Sequence, residues 1–167
     1  MAIYTAGGDQ GMTSLTNEER VYKTDERIQL LGEIDELCSY LGFAKVIMNQ
    51  EEKEQISKIQ KELMIIMAGI TEPQNTAYQC KEEQIQSLEA EIDRMETEFP
   101  REKKFVLYGG CECSARLDIA RAVARRAERQ FHKVNQIYGE DANALIYMNR
   151  LSDYLYILAR FMDYKKI

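Results

Sequence analysis

One histidine, His132, stands in a chain of 167 residues, and that scarcity removes several chemistries at once. A multi-histidine metal centre cannot be built from it, and neither a Ser-His-acid nor a Cys-His constellation is evident. Cysteine is sparse as well. Cys38, Cys80, Cys111 and Cys113 are few for a disulfide scaffold and suit reduced thiols in a reducing compartment. The spacing Cys111-x-Cys113 is short for a zinc knuckle, so ordinary thiols are expected there. No segment approaches the roughly 18 consecutive apolar residues of a membrane span. The opening stretch MAIYTAGGDQGMTSL has neither a basic leader nor an apolar signal core, and a cytoplasmic location is the default expectation. Basic surface charge is lacking too: the net charge of −6 argues against a general nucleic-acid binder. There is no internal repeat, no low-complexity segment and no Gly-x-x-x-x-Gly-Lys-Ser/Thr phosphate loop.

What is present is helical periodicity. The length suits one domain over residues 1–167, with 45% apolar and 30% charged residues. Residues 1–23 show no helical stripe and read as an irregular arm, with a short extended piece at Ala2–Thr5. From about Asp25 to Met48, Ile28, Leu31, Ile34, Cys38, Leu41, Phe43 and Ile47 recur near helical spacing, with Leu37 widening the stripe. Further helices are expected at about 52–70, 81–98, 113–137 and 141–164. Thr71–Gln79 contains Pro73 and should interrupt helicity, Pro100 marks a second boundary, and Gly139 a third. The fold class is therefore all-α: a five-helix up-and-down bundle over residues 24–167 behind an N-terminal arm. Periodicity alone is equally consistent with a purely mechanical bundle.

Four polar clusters strain that plain reading. Arg121, Arg125 and Arg129 lie four residues apart and stack along one helix face, with Arg126 widening it and Glu128 beside it. Guanidinium groups at that spacing repel one another unless anions compensate them, and a triphosphate would do so through charge-assisted donor pairs. The competing reading, a solvated face paired with neighbouring acids, stands ahead on residue types alone. Asn149 and Asp153 share a face of the last helix, where Asn149 is suited to donate to phosphate or to contact Mg²⁺ through oxygen. Arg150 and Asp153 also suit an ordinary intrahelical pair. Asp35 sits beside Glu33 and Glu36 at the margin of the first apolar stripe, either as solvated rim or as a partner for an arginine of another helix or subunit. In the arm, Gly7, Gly8, Thr13 and Ser14 combine permissive backbone with hydroxyls that can wrap phosphates, and Lys23 is a sensible partner if the arm folds back. A simple surface arm is the alternative.

Taken in order, these clusters resemble the PduO-type ATP:corrinoid adenosyltransferases. The resemblance is carried by Tyr4-Thr5-Ala6-Gly7-Gly8-Asp9-Gln10-Gly11-Met12-Thr13, Lys23-Thr24-Asp25-Glu26-Arg27 and Gly32-Glu33-Ile34-Asp35-Glu36-Leu37. It continues through Phe105-Val106-Leu107-Tyr108-Gly109-Gly110, Ala120-Arg121, Arg125-Arg126-Ala127-Glu128-Arg129 and Asn149-Arg150-Leu151-Ser152-Asp153-Tyr154-Leu155. It implies a ferritin-like five-helix subunit in a homotrimer with active sites between neighbours. It also implies transfer of the 5′-deoxyadenosyl group of ATP to Co(I) of cobalamin with release of triphosphate, aided by Mg²⁺.

By the same resemblance, Thr5, Gly7, Gly8, Thr13, Ser14 and Lys23 fold over ATP, while Arg125, Arg126, Glu128, Arg129 and Asn149 complete the nucleotide region. Asp35 pairs across the subunit boundary with Arg121, and Phe105 closes one side of the corrinoid pocket and helps displace the lower axial base. A corrinoid reductase or an adenosylcobalamin-dependent enzyme is the implied transient partner, with no nucleic acid and no membrane. Three positions depart from the family pattern: Ala6 stands where a lysine or arginine is usual, Tyr108 where a proline is usual, and Asp118 where a histidine is common. Ala6 and Tyr108 keep open a second reading, an ATP- or corrinoid-binding regulator or carrier with weak transferase activity.

Overall fold

The computed structural model describes residues 3–99 and 104–165. A short hairpin pairs β1 (Met12–Ser14) antiparallel with β2 (Arg20–Tyr22), Thr13 facing Val21. Five helices follow: α1 (Glu26–Lys45), α2 (Gln50–Thr71), α3 (Glu82–Glu98), α4 (Glu112–Tyr138) and α5 (Ala142–Lys165), with one 3₁₀ turn at Thr76–Tyr78 before α3. The bundle agrees with the expectation, and each helix boundary lies within three residues of it. The arm does not agree in detail. Residues 3–5 form no strand, and the extended pairing occurs at β1 and β2 instead. Ala2 and the Pro100 boundary lie outside the described residues.

Local chemistry sets the helix ends. The Asp25 carboxylate accepts from the Arg27 backbone N–H at 2.8 Å and caps α1. Asn49 and Glu52 form a reciprocal capping box at α2. Cys111 caps α4, its Sγ accepting from the Ser114 N–H at 3.3 Å, and Gly139 ends that helix at φ +72°. Asp141 serves two elements, holding the Asn143 N–H in the first turn of α5 and the Cys80 N–H ahead of α3.

Helix α4 packs between α1 and α5, while α2 lies on α1 and α3 on α5. Its 27 residues span roughly 40 Å, so one rod carries both ends of the site described below. Leu117, Ala120, Val123, Ala124, Ala127, Phe131 and Val134 bury one face of it. On α5 the periodicity predicts a stripe of Leu145, Met148, Leu151, Leu155, Leu158 and Met162; the last five are buried, and Leu145 is partly buried against the core. On α1 the buried face is Leu30, Ile34, Leu37, Leu41 and Ala44. Phe43, expected in that stripe, is 49% exposed and lies under the Arg116 guanidinium, 3.8 Å from the ring centroid.

Candidate active site

Three stretches meet around α4: the arm at its C-terminal end, α5 along its side, and the segment Phe105–Gly110 at its N-terminal end. In the arm, the backbone turns through Ala6 at φ +58°, a left-handed conformation that costs an alanine about 1–2 kcal/mol. The Thr5 Oγ1 accepts from the Gly7 N–H at 3.4 Å. The Lys23 ammonium lies over Gly8, 3.1 Å from where a Cβ would stand, so a side chain at Gly8 would displace it. Arg20 joins the two halves of the arm, donating to the Gly7 carbonyl at 3.0 Å and to the Ser14 hydroxyl at 3.3 Å. This brings a cation to the turn beside Ala6. Sequence reasoning passed over Arg20, and its only signal is the alternating pattern of Arg20-Val21-Tyr22.

The arm is tied to the bundle through Arg27. Its guanidinium pairs with Asp25 at 3.0 Å and Glu19 at 3.1 Å and stacks on the Tyr138 ring at 4.2 Å. The Tyr138 hydroxyl donates to Asp25 at 3.2 Å. The hydrogen bonds from Arg27 hold both carboxyls below their ordinary values and raise the guanidinium's own. Leu15 and Val21 supply the arm's buried apolar contacts.

Along α4, the arginines fall into two groups. Arg121 and Arg125 line a cavity of about 650 Å³ with Arg150 and Asp153 of α5 and Glu89 and Asp93 of α3. Arg150 is engaged there by Glu89 at 2.9 Å and Asp153 at 3.1 Å. Arg125 and Arg129 form no ion pair with a carboxylate among the described residues, and Arg129 instead donates to the Arg125 carbonyl at 3.1 Å. Arg126 turns the other way, toward α1, where it pairs with Glu36 and lies 4.0 Å from Glu33. Asn149 donates from its amide nitrogen to Glu128 at 2.8 Å, which joins α5 to α4 beside the exposed arginines. His132 lies 3.8 Å from the same carboxylate.

Asp35 is exposed, and its carboxylate makes no hydrogen bond or ion pair among the described residues. Arg121 lies beside Asp118 at 3.6 Å. Phe105 is fully exposed, as is Leu107, at the start of a segment whose far end is anchored. Gly109 has φ +89°, and at Gly110 the Asp163 carboxylate packs so closely that a Cβ would overlap it. The structure therefore brings Thr5, Gly7, Gly8, Ser14 and Lys23 together in one arm, and Glu128 and Asn149 together beside Arg125 and Arg129. Within this single chain it does not bring Asp35 to Arg121.

The cysteines take no part. Burial pushes the Cys38 and Cys113 thiols up to about 11 and Cys80 up to about 12, so all three are protonated at neutral pH. No cluster of three His, Cys, Asp or Glu side chains suited to a metal occurs among the described residues.

A model of the family described as cobalamin adenosyltransferase matches residues 3–162. The corrinoid adenosyltransferase of Bacillus subtilis is 36% identical over 98% of this chain and 87% of its own length. The Homo sapiens corrinoid adenosyltransferase MMAB is 35% identical over 98% of this chain and 70% of its own. PduO of Salmonella typhimurium is 37% identical, and the match spans half of that longer protein. Among solved structures, a variant of the PduO-type ATP:corrinoid adenosyltransferase from Lactobacillus reuteri, complexed with cobalamin and ATP, superposes with a TM-score of 0.93. It is 32% identical, with 99% of this chain and 95% of that one covered. A second variant of that enzyme, complexed with ATP, gives 0.91 at 34% identity. The chain belongs to the cobalamin adenosyltransferase family, with the five-helix fold and the corrinoid adenosyltransferase activity of its PduO-type members.

Proposed function

We propose that ATP is held between the arm and the exposed Arg125–Arg129 turn of α4, and that cobalamin approaches from the Phe105 side. The observation carrying this reading is that Arg125 and Arg129 have no carboxylate partner among the described residues, while neighbouring Arg126 and Arg150 do. Cations left uncompensated on one helix face suit a polyanion, and planar guanidinium groups suit phosphate oxygens. Thr5, Gly7, Gly8, Thr13, Ser14 and Lys23 close over the nucleotide from the arm. Arg20 supplies a positive charge near the turn where Ala6 does not.

In the reaction, the Co(I) centre of the corrinoid substrate attacks the ribose C5′ of ATP, and triphosphate leaves with the C5′–O bonding electrons. No protein nucleophile is required. The side chains orient the two substrates and stabilise the charge that develops on the leaving group. Glu128 fixes Asn149, whose amide nitrogen it engages, and Arg126 is fixed on α1 by Glu36, so both serve the clamp by holding its walls. Mg²⁺ would neutralise phosphate charge. With no protein cluster of three ligands among the described residues, it would be carried chiefly by phosphate oxygens, with the Asn149 amide oxygen as its protein contact.

The exposed Phe105 side chain is apolar surface that a corrin ring and its lower base would meet, which supports its closing that side and excluding the base. Asp35, exposed and without a partner in its own chain, suits pairing with Arg121 of a neighbouring copy in a homotrimer, with the sites at the boundaries. A corrinoid reductase or an adenosylcobalamin-dependent enzyme would dock transiently at that opening. No helix of the described residues is long and apolar enough to cross a membrane, in keeping with a cytoplasmic site of action.

The test is anaerobic mixing of the protein with ATP, Mg²⁺ and chemically reduced cobalamin, followed by absorbance for a carbon–cobalt bond. Adenosylcobalamin formation is expected. Binding of ATP without that bond would instead favour the regulator or carrier reading, which Ala6 and Tyr108 support.

A further inference from the structure

Beneath the segment that carries Phe105 lies a charged cluster with no place in the nucleotide clamp. Arg160 sits in the middle of the apolar face of α5 and is 95% buried, at 5% relative exposure. Its Nη2 donates to Asp118 Oδ2 at 2.5 Å, and its Nε lies 3.2 Å from Asp163 Oδ2. Asp118, on α4, is 6% exposed, and its other oxygen lies 3.6 Å from Arg121 Nε. One carboxylate therefore stands between two guanidinium groups. Both of those groups also face a single ring: Tyr108 lies 5.1 Å from Arg121 and 5.5 Å from Arg160. Asp163 continues the set by packing against Gly110.

Elementary electrostatics explains why the parts belong together. Two arginines converging on one ring repel each other, and Asp118 removes that repulsion by offering one oxygen to each. Without the carboxylate, the guanidinium groups would separate and the ring would lose one of them. With it, both guanidinium groups stay near the Tyr108 ring, and the Asp163 carboxylate packs against Gly110 at the point where the segment enters α4. Phe105 lies three residues upstream of that ring. The two positions that depart from the family pattern on this side of the molecule, Tyr108 and Asp118, are thus members of one physical unit.

We propose that Asp118 and Arg160 are positioning residues for the corrinoid side of the site, acting through the Tyr108 ring to aim the exposed segment that carries Phe105. This rests on the function proposed above for Phe105, and it adds a link to Arg121 at the subunit boundary. Movement of Arg121 moves the ring it faces, so pairing across that boundary and placement of the corrinoid-facing segment are coupled.

Two measurements test it. The first is amide hydrogen exchange over residues 104–111 in the substrate-free protein. Tyr108→Ala is expected to speed exchange about tenfold, Tyr108→Phe to leave it near wild type because the ring remains, and Asp118→Asn to match Tyr108→Ala, with the double variant no faster than either. Tyr108 is 60% exposed, so its replacement spares the core and stays informative even if Asp118→Asn folds poorly; Arg160→Lys then serves as the second probe. The other measurement is the ratio of adenosylation rates starting from Co(II) with a reductant and from pre-formed Co(I), expected to fall about tenfold in Tyr108→Ala and to recover in Tyr108→Phe. Effects of Tyr108→Ala and Asp118→Asn that multiply, or an Asp118→Asn variant that melts earlier with unchanged exchange in the segment, would overturn the proposal. Failure of the wild-type chain to form adenosylcobalamin overturns the parent function instead, whereas an active wild type without the coupling defeats this inference alone.

Discussion

Two turns of the same helix treat arginine in opposite ways. Near its N-terminal end, α4 presents Arg121 to a buried carboxylate that also holds Arg160. One and two turns later, Arg125 and Arg129 stand without acidic partners among the described residues. In the first arrangement Asp118 and Asp163 offset the charge of Arg121 and Arg160, although Asp118 Oδ1, Arg121 Nε and Arg160 Nη1 make no hydrogen bond among the described residues, which leaves Arg121 able to take a further partner. The second is open, and that openness gives it affinity for an anion from outside. The same residue type thus serves as internal brace or as binding surface according to whether the fold supplies a carboxylate. Arg126, next to Arg125, shows the choice in miniature, since one position along the helix is enough to turn it to Glu36.

The largest expected effect lies in the braced turn. Replacing Asp118 by leucine alone removes the shorter of the two carboxylate contacts of buried Arg160, leaving only Asp163, and should cost about 3 kcal/mol by urea denaturation, whereas replacing both Asp118 and Arg160 by leucine should recover part of that loss. If the single variant loses less than 1 kcal/mol, the brace is not one. At the open turn, Arg125→Ala should lower kcat/KM for ATP by about 10²–10³ while leaving the melting temperature near wild type. Arg126→Ala should lower it much less, because that guanidinium is spent on α1. Equal losses in the two variants would erase the distinction drawn here.

A smaller effect concerns the junction after α4. Burial pushes the Glu140 carboxyl up to about 7 against an ordinary 4.5, with Arg27 opposing the shift. Between those values the unfolded chain has released this proton and the folded chain still holds it, so stability falls as pH rises through the window. Glu140→Gln should flatten the decline of melting temperature between pH 5 and 7.5, and an unchanged profile would count against it. The smallest effect is expected at Phe105. Its side chain is fully exposed, so Phe105→Ala should alter stability by no more than about 0.5 kcal/mol while still impairing the Co(II)-dependent reaction. A large loss of stability would mean that the residue is a packing element after all.

Much of this was legible before any coordinates. Helix periodicity located all five helices because their apolar stripes are long, and the α5 stripe from Met148 to Met162 lies in the core as spaced. The arm's hairpin was not legible. Its strands are three residues each, with Leu15 and Val21 as lone apolar contacts, and such a pattern is too short for a period of two to emerge. Phe43 misled because an aromatic at helical spacing reads as core, and the covering Arg116 comes from 73 positions away. The nucleotide clamp residues were nameable in family order, but the opposite facing of Arg125 and Arg126 depends on which acids α1 offers. Arg160 had one visible signal, a charge inside the run from Leu155 to Met162, whose meaning required knowing that Asp118 lies opposite.

Ala6 carries a last consequence. Its left-handed backbone imposes the same penalty on alanine as on most other non-glycine residues, and its side chain is exposed. Substitution between alanine and lysine at this turn therefore meets little conformational barrier in either direction. The charge of the arm is mutationally free to drift while its shape stays put, with Arg20 already in place on the neighbouring strand.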